Sequence, residues 1–286
     1  MANGTDGLEL TYAELLEEAD SLSRRLLEWR HGGGGGEGRG LEGERIAILT
    51  PNDHHYACAL FGIWHAGGVA VPLYPKHPPA EMRYYLEDSK ASAVIAHPSL
   101  EGVSRELGTP TVSLSVGAER AAAAVDPEGR GERPVPGPFS FSFSPASSSS
   151  SAAAMILFTS GTTGRPKGVV LTHANLEASA AALAEAWEWA PGDRIPHFLP
   201  LHHVHGVVNK LLCALWTGAA VEWCADASPS GLWRRLGDPG APALTLFMAV
   251  PTVYARMLEA FDGPELGPRE REAALAGARR LPLVVS

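Results

Sequence analysis

Cysteine is scarce: three residues in 286, Cys58, Cys213 and Cys224, and no two stand at the spacing of a metal-binding pair. That argues against a disulfide framework or a thiolate zinc site, and the three thiols are expected to be reduced core groups of an intracellular protein. Positive charge is short as well. Lys and Arg number 23 against 32 Asp and Glu, a formal charge of −9, which argues against a nucleic-acid partner, because phosphate binding draws on clustered cations. No apolar run reaches the length of a membrane span. The opening residues, MANGTDGLEL, lack the basic-plus-apolar layout of a secretory signal and the Arg-rich layout of a transit peptide. A soluble location is expected, with cytoplasm and mitochondrion both open. No internal repeat is visible, and nothing in the sequence bears on oligomeric state. What the chain does have is a hydrophobic fraction of 45% against 19% charged, ample for one large domain or two ordinary ones.

The elements follow from spacing. Thr11 and Glu14 form a T-x-x-E capping box, and Leu15, Ala19, Leu22 and Leu26 follow at helical intervals. The run HGGGGGEGRG breaks the pattern, because successive glycines hold no single conformation cheaply. An alternation then begins. RIAILT (45–50) reads as a buried strand, residues 53–66 as a helix, GGVAVPL as a strand, PAEMRYYLEDS as a helix and SAVIA (92–96) as a strand. Such βαβ order predicts an α/β fold with mostly parallel sheets flanked by helices. Flexible inserts are expected near 31–43 and 118–151, the second rich in Pro, Gly and Ser. Order returns with MILFTS, a helix over 173–189, and strands at RIPHFLPL (194–201), GAAVEW and ALTLFMAV (243–250), with a helix opened by Pro251. The last residues, LPLVVS, read as a strand, and the sequence looks cut there.

One loop demands a chemical explanation. TSGTTGRPKG runs from Thr159 through Ser160, Gly161, Thr162, Thr163, Gly164, Arg165 and Pro166 to Lys167 and Gly168. A strand feeding such a turn and then a helix presents backbone N–H groups to an anion. Gly161 and Gly164 allow close backbone approach, the hydroxyls add donors, and Lys167 adds a point charge. The spacing is not that of G-x-x-x-x-G-K-[ST], since Gly168 follows Lys167 and Pro166 precedes it. The bland alternative is a surface turn of small polar residues.

The string resembles the phosphate-loop signature of the adenylate-forming superfamily, which holds acyl-CoA synthetases, peptide-synthetase adenylation domains and luciferases. The likeness continues through GVVLTHANL, where that family has its following helix. It implies a two-step reaction using ATP, Mg2+ and CoA: a carboxylic acid forms an acyl-adenylate with loss of pyrophosphate, and a thiol then takes the acyl group. Preorganised N–H groups, a lysine and the magnesium ion suit the charge developing on pyrophosphate. The fold so implied is an incomplete large N-terminal AMP-binding domain spanning 1–286.

FLPLHHVHGVVNKLLCALWTGA (198–219) narrows the acid. His202, His203 and His205 lie close enough to suggest a metal, but no cysteine or carboxylate nearby completes a ligand set. Packing is the plainer reading for His202 and His205. With VPLYPKHPPAEMRYYLEDSKASAVIA and FMAVPTVYARMLEAF, this stretch is similar to the malonyl-CoA synthetase branch. The resemblance implies that His203 walls the acyl pocket and that Arg256, in V-P-T-x-Y-x-R, pairs with the distal carboxylate of malonate or methylmalonate. An exposed helical arginine paired with Glu259 is the alternative, worth about a few tenths of a kcal/mol. Lys210, in an otherwise apolar helix, has no explanation in the sequence.

No Y-G-M-T-E-like string follows, so the family's magnesium, adenine and ribose contacts, and its small C-terminal domain, are not expected within these residues. Two readings from different classes result: a ligase fragment, inactive alone, whose complete form makes malonyl-CoA, or a non-catalytic module binding nucleotide or a partner. A fatty-acid or aryl-acid ligase remains open within the enzyme class.

Overall fold

A computed structural model describes residues 2–3, 9–32, 40–114, 151–159 and 164–285. Most of the glycine run, the insert from 118 to 150, and Ser160, Gly161, Thr162 and Thr163 therefore lie outside the described residues. The chain divides into two compact units, Thr11–Ala178 with Leu201–Val204, and Met1–Leu10 with Ser179–Pro200 and His205–Ser286. After β1 (Ala2–Asn3) comes α1 (Tyr12–Arg30), whose capping box forms as the sequence predicts. Leu15, Ala19, Leu22 and Leu26 are all buried along one stripe.

The first unit is built on β2 (Arg45–Leu49), α2 (His54–His65), β3 (Val69–Pro72), α3 (Pro79–Ser89) and β4 (Ala93–Ala96). It continues with α4 (Glu101–Glu106), β5 (Thr111–Ser113), β6 (Ala153–Thr159) and β7 (Lys167–Thr172). The six strands form one sheet in the order β5-β4-β2-β3-β6-β7. Every pairing is parallel except β6 with β7. Strands β2, β3 and β4 are buried along almost their whole length, which is why they read as unbroken apolar runs. Their packing partners include Met82, Tyr85 and Leu86 of α3.

One expectation fails here. GVVLT does not enter a helix after the loop; it is β7, antiparallel to β6, and α5 (His173–Ala186) begins only afterwards. The β-branched Val169, Val170 and Thr172 favour extension, and Val169 and Val170 stay exposed on this edge strand. Gly168 permits the pairing: a Cβ there would stand 2.9 Å from Ile156 Cγ2. Near the first insert, Leu41 is fully buried and its N–H donates to Ala66 O at 2.7 Å, so residues 40–43 are tied down.

The second unit holds β8 (Arg194–His197), a π-helix over His205–Leu212, α6 (Cys213–Thr217) and β9 (Ala220–Trp223). It ends with α7 (Pro229–Gly237), β10 (Leu246–Met248), α8 (Pro251–Asp262), α9 (Pro268–Ala278) and β11 (Leu283–Val285). One parallel sheet runs β1-β9-β8, and β10 pairs in parallel with β11. The expected strand 194–201 is shorter than predicted, ending at His197; Pro196 is tolerated because β8 is an edge. Leu232, Leu236, Leu244, Phe247 and Met257 form a local core. All three cysteines are free, Cys58 and Cys213 buried and Cys224 half-buried. Among the described residues no helix is long and apolar enough to cross a membrane.

Candidate active site

In the first unit the glycine- and hydroxyl-rich string closes the end of the β6–β7 hairpin. Thr159 and Lys167 are register partners, and Thr159 Oγ1 donates to Lys167 O at 3.4 Å. The string therefore joins the two strands of one hairpin rather than a strand to a helix. Gly164, Arg165 and Lys167 are exposed, and Pro166 is half-buried. A Cβ at Gly164 would meet nothing within 4 Å, which leaves open space beside the loop backbone. Lys167 makes no ion pair among the described residues.

Tyr84, which sequence reasoning did not single out, anchors this loop. Its hydroxyl donates to Pro166 O at 2.7 Å, and the Arg165 guanidinium lies 5.4 Å from its ring centre. Tyr84 also belongs to a ladder of rings. Tyr85 stacks on Phe158 at 4.2 Å, one residue before Thr159, and reaches His77 at 5.8 Å. His77 lies 5.1 Å from His202, and His202 stacks on Tyr74 at 4.5 Å and contacts His203 at 3.9 Å. Phe158, just before the loop, and His202 and His203 of LPLHHVH are thus joined through packed rings within one unit. His203 is exposed at the end of that ladder. Burial and the imidazoles of His203 and His77 push His202 down to about 3, so it stays neutral and packs, as the sequence suggests.

In the second unit Lys210 resolves into a defined environment. It is fully buried on the π-helix, its Nζ donates to Met248 O at 3.0 Å, and it stands 4.0 Å from the Phe198 ring centre. Burial pulls its pKa down to about 7. His197 beside it is pushed down to about 3 by burial and by the Lys210 charge, and its Nε2–H donates to Gly206 O at 2.9 Å. Gly206 has to be glycine, since a Cβ would lie 2.2 Å from Pro200 O.

Arg256 projects from α8 in the same unit. It is exposed and, among the described residues, pairs with no carboxylate, Glu259 included. The other motif residues fix the helix that carries it. Tyr254 Oη donates to Val285 O at 2.8 Å, and Trp233 Nε1–H donates to Met257 O at 2.6 Å. Arg256 is thus an exposed cation on a tied-down helix, without an ion pair among the described residues.

A family profile described as AMP-binding enzyme matches residues 2–284. The mitochondrial malonate–CoA ligase of Homo sapiens is 40% identical over 262 residues, covering 88% of this chain and 42% of that protein. The mitochondrial malonate–CoA ligase of Mus musculus is 38% identical over 281 residues, covering 96% of this chain and 45% of its own. Among solved structures, a malonyl-CoA ligase ternary product complex with methylmalonyl-CoA and AMP bound matches with a TM-score of 0.70 and 32% identity. That match covers 99% of this chain and 51% of the other. The chain spans about half the length of the relatives it matches.

Proposed function

The chain belongs to the AMP-binding enzyme family, and from that membership we propose that it supplies the phosphate-loop and acid-recognition part of an acid–thiol ligase acting on malonate or methylmalonate. The observation that carries this reading is the pair of exposed, unpaired cations on rigid supports, Lys167 at the hairpin mouth and Arg256 on α8. Each on its own can meet one anion, Lys167 a polyphosphate and Arg256 a carboxylate. In the first step a carboxylate oxygen of the acid bonds to the α-phosphorus of ATP, and the bond to pyrophosphate breaks. Lys167 and the loop N–H groups stabilise the leaving charge, which ATP's magnesium ion shares. In the second step the CoA sulfur bonds to the acyl carbon and AMP leaves. Arg256 holds the malonate carboxylate that does not react, and His203 closes the acyl side; both roles rest on the similarity of the V-P-T-x-Y-x-R and LPLHHVH strings.

The 286 residues alone are proposed to be inactive, since the relatives they match are about twice as long. Acid-dependent ATP–pyrophosphate exchange tests this. The chain alone should read at background, and a completed enzyme, these residues joined to the C-terminal half of the human relative, should exchange with malonate and methylmalonate. Exchange by the chain alone refutes the inactivity; exchange in the completed enzyme with butyrate but not malonate replaces malonate with a fatty acid.

A further inference from the structure

A second cluster of chemistry lies in the first unit, apart from the hairpin and the ring ladder. Strand β2 leads through α2 to β3 on one side, while β4 takes the place on its other side. The strand order reverses between β2 and β4, and with the usual right-handed crossovers such a sheet forms a crevice at the carboxyl ends of those two strands. In open α/β sheets this is the position at which ligands bind. The strands end in register there, Leu49 opposite Ala96, and His97 N–H donates to Leu49 O at 3.0 Å.

Three side chains with ligating atoms lie just beyond these strand ends. Asp53 and His55 follow β2, and His97 follows β4; their donor atoms all lie within 4.8 Å of one another. Asp53 Oδ1 is 3.1 Å from His55 Nδ1, and the His55 and His97 ring centres are 4.6 Å apart. We propose that Asp53, His55 and His97 form a binding site for a divalent transition-metal ion at the topological switch of the first sheet.

The donor set fits that class. Two imidazoles and one carboxylate suit a zinc-like ion, whereas magnesium and calcium favour all-oxygen ligands. With bonds of roughly 2.0–2.1 Å, tetrahedral ligand atoms stand about 3.3 Å apart, near the Asp53–His55 separation of 3.1 Å. Each ligand is also supported from behind. Asp53 caps α2, accepting the His55 N–H at 3.0 Å, so its carboxylate is held at the helix start. Ser99 N–H donates to His97 Nδ1 at 3.2 Å and Ser99 Oγ lies 2.7 Å from the same nitrogen, so a ligating Nε2 requires the imidazole to give up the Ser99 N–H and donate Nδ1–H to Oγ. His55 Nδ1 is buried and faces the Asp53 carboxylate, so an ion seated between them would take the place of that direct contact.

The test is calorimetric titration of the untagged, chelator-stripped chain with Zn2+, repeated with excess Mg2+ present. One equivalent of Zn2+ is expected, undisturbed by Mg2+. His97→Ala should weaken it at least tenfold, Asp53→Ser should do the same while keeping a helix cap, and Ser99→Ala should weaken it less. His202→Ala should leave it unchanged. Circular dichroism of the metal-free variants identifies any that misfold, and His97→Gln then takes the place of His97→Ala. No stoichiometric zinc, displacement by Mg2+, Asp53 or His97 variants that bind as tightly as the parent, or loss on His202→Ala would each overturn the site.

Discussion

Two lysines occupy opposite situations in the two units. Lys167 stands exposed at a hairpin mouth with no ion pair among the described residues. Lys210 is sealed in an apolar π-helix, satisfied only by Met248 O and the face of Phe198. An exposed cation contributes almost nothing to folding and keeps its full charge for a ligand. A buried one costs stability and surrenders its charge near neutral pH. The contrast separates exposed cations from one held for architecture, and Arg256, exposed and without an ion pair among the described residues, falls on the first side.

The largest effect should come from breaking that side. In the completed enzyme Arg256→Ala should lower kcat/KM for malonate by about thirty- to several-thousand-fold, the roughly 2–5 kcal/mol of truncating one partner of a desolvated charge pair. Butyrate should be almost unaffected, because it brings no second carboxylate. Equal losses on both acids would return Arg256 to the surface. Lys167→Ala should follow, with a loss of about a hundred- to a thousandfold confined to adenylation. Single turnovers started from ATP and from preformed acyl-adenylate separate the steps; equal losses in both would contradict its role toward pyrophosphate.

The buried side of the comparison can be tested by pH. The Lys210 pKa falls from 10.5 to about 7 in the folded chain. Between those values the unfolded chain binds the extra proton, so stability rises with pH across the window, and the burial penalty is complete only below about pH 7. Lys210→Met removes that penalty and also the bond to Met248 O, worth about 1 kcal/mol at any pH. The variant should therefore gain about 2–3 kcal/mol more over the parent at pH 6 than at pH 9, read by urea unfolding. A gain independent of pH would mean that Lys210 folds with its charge unperturbed.

Legibility in the sequence followed the same divide. The buried parallel strands announced themselves as apolar runs, and the Thr11–Glu14 box marked a helix start that formed. β7 was misread because Gly168 and a following helix mimic a loop-to-helix turn, while the deciding contact, Gly168 against Ile156, is between strands. The loop string was visible as chemistry, but Tyr84 was not, since it lies 82 residues from Pro166 and a Tyr-Tyr pair on a helix reads as core. Lys210 looked anomalous for a sound reason: its partners, Phe198 and Met248, flank it at distances in sequence that no local pattern encodes.

Tyr84 offers the finest division between the two kinds of support. It serves the loop twice, through a hydrogen bond to Pro166 O and through its ring beneath Arg165. Tyr84→Phe removes only the first, worth about 0.5–1.5 kcal/mol, so KM for ATP in the completed enzyme should rise about two- to tenfold. Tyr84→Leu also removes the ring, adding about 0.5–1 kcal/mol for a cation held near the surface. In neither variant should kcat change much, because an anchor that acts alike before and in the transition state supplies uniform binding. If Tyr84→Phe instead lowered kcat as Lys167→Ala does, the loop would need Tyr84 to place Lys167 during the reaction. The boundary drawn between architecture and chemistry would then run through this hairpin.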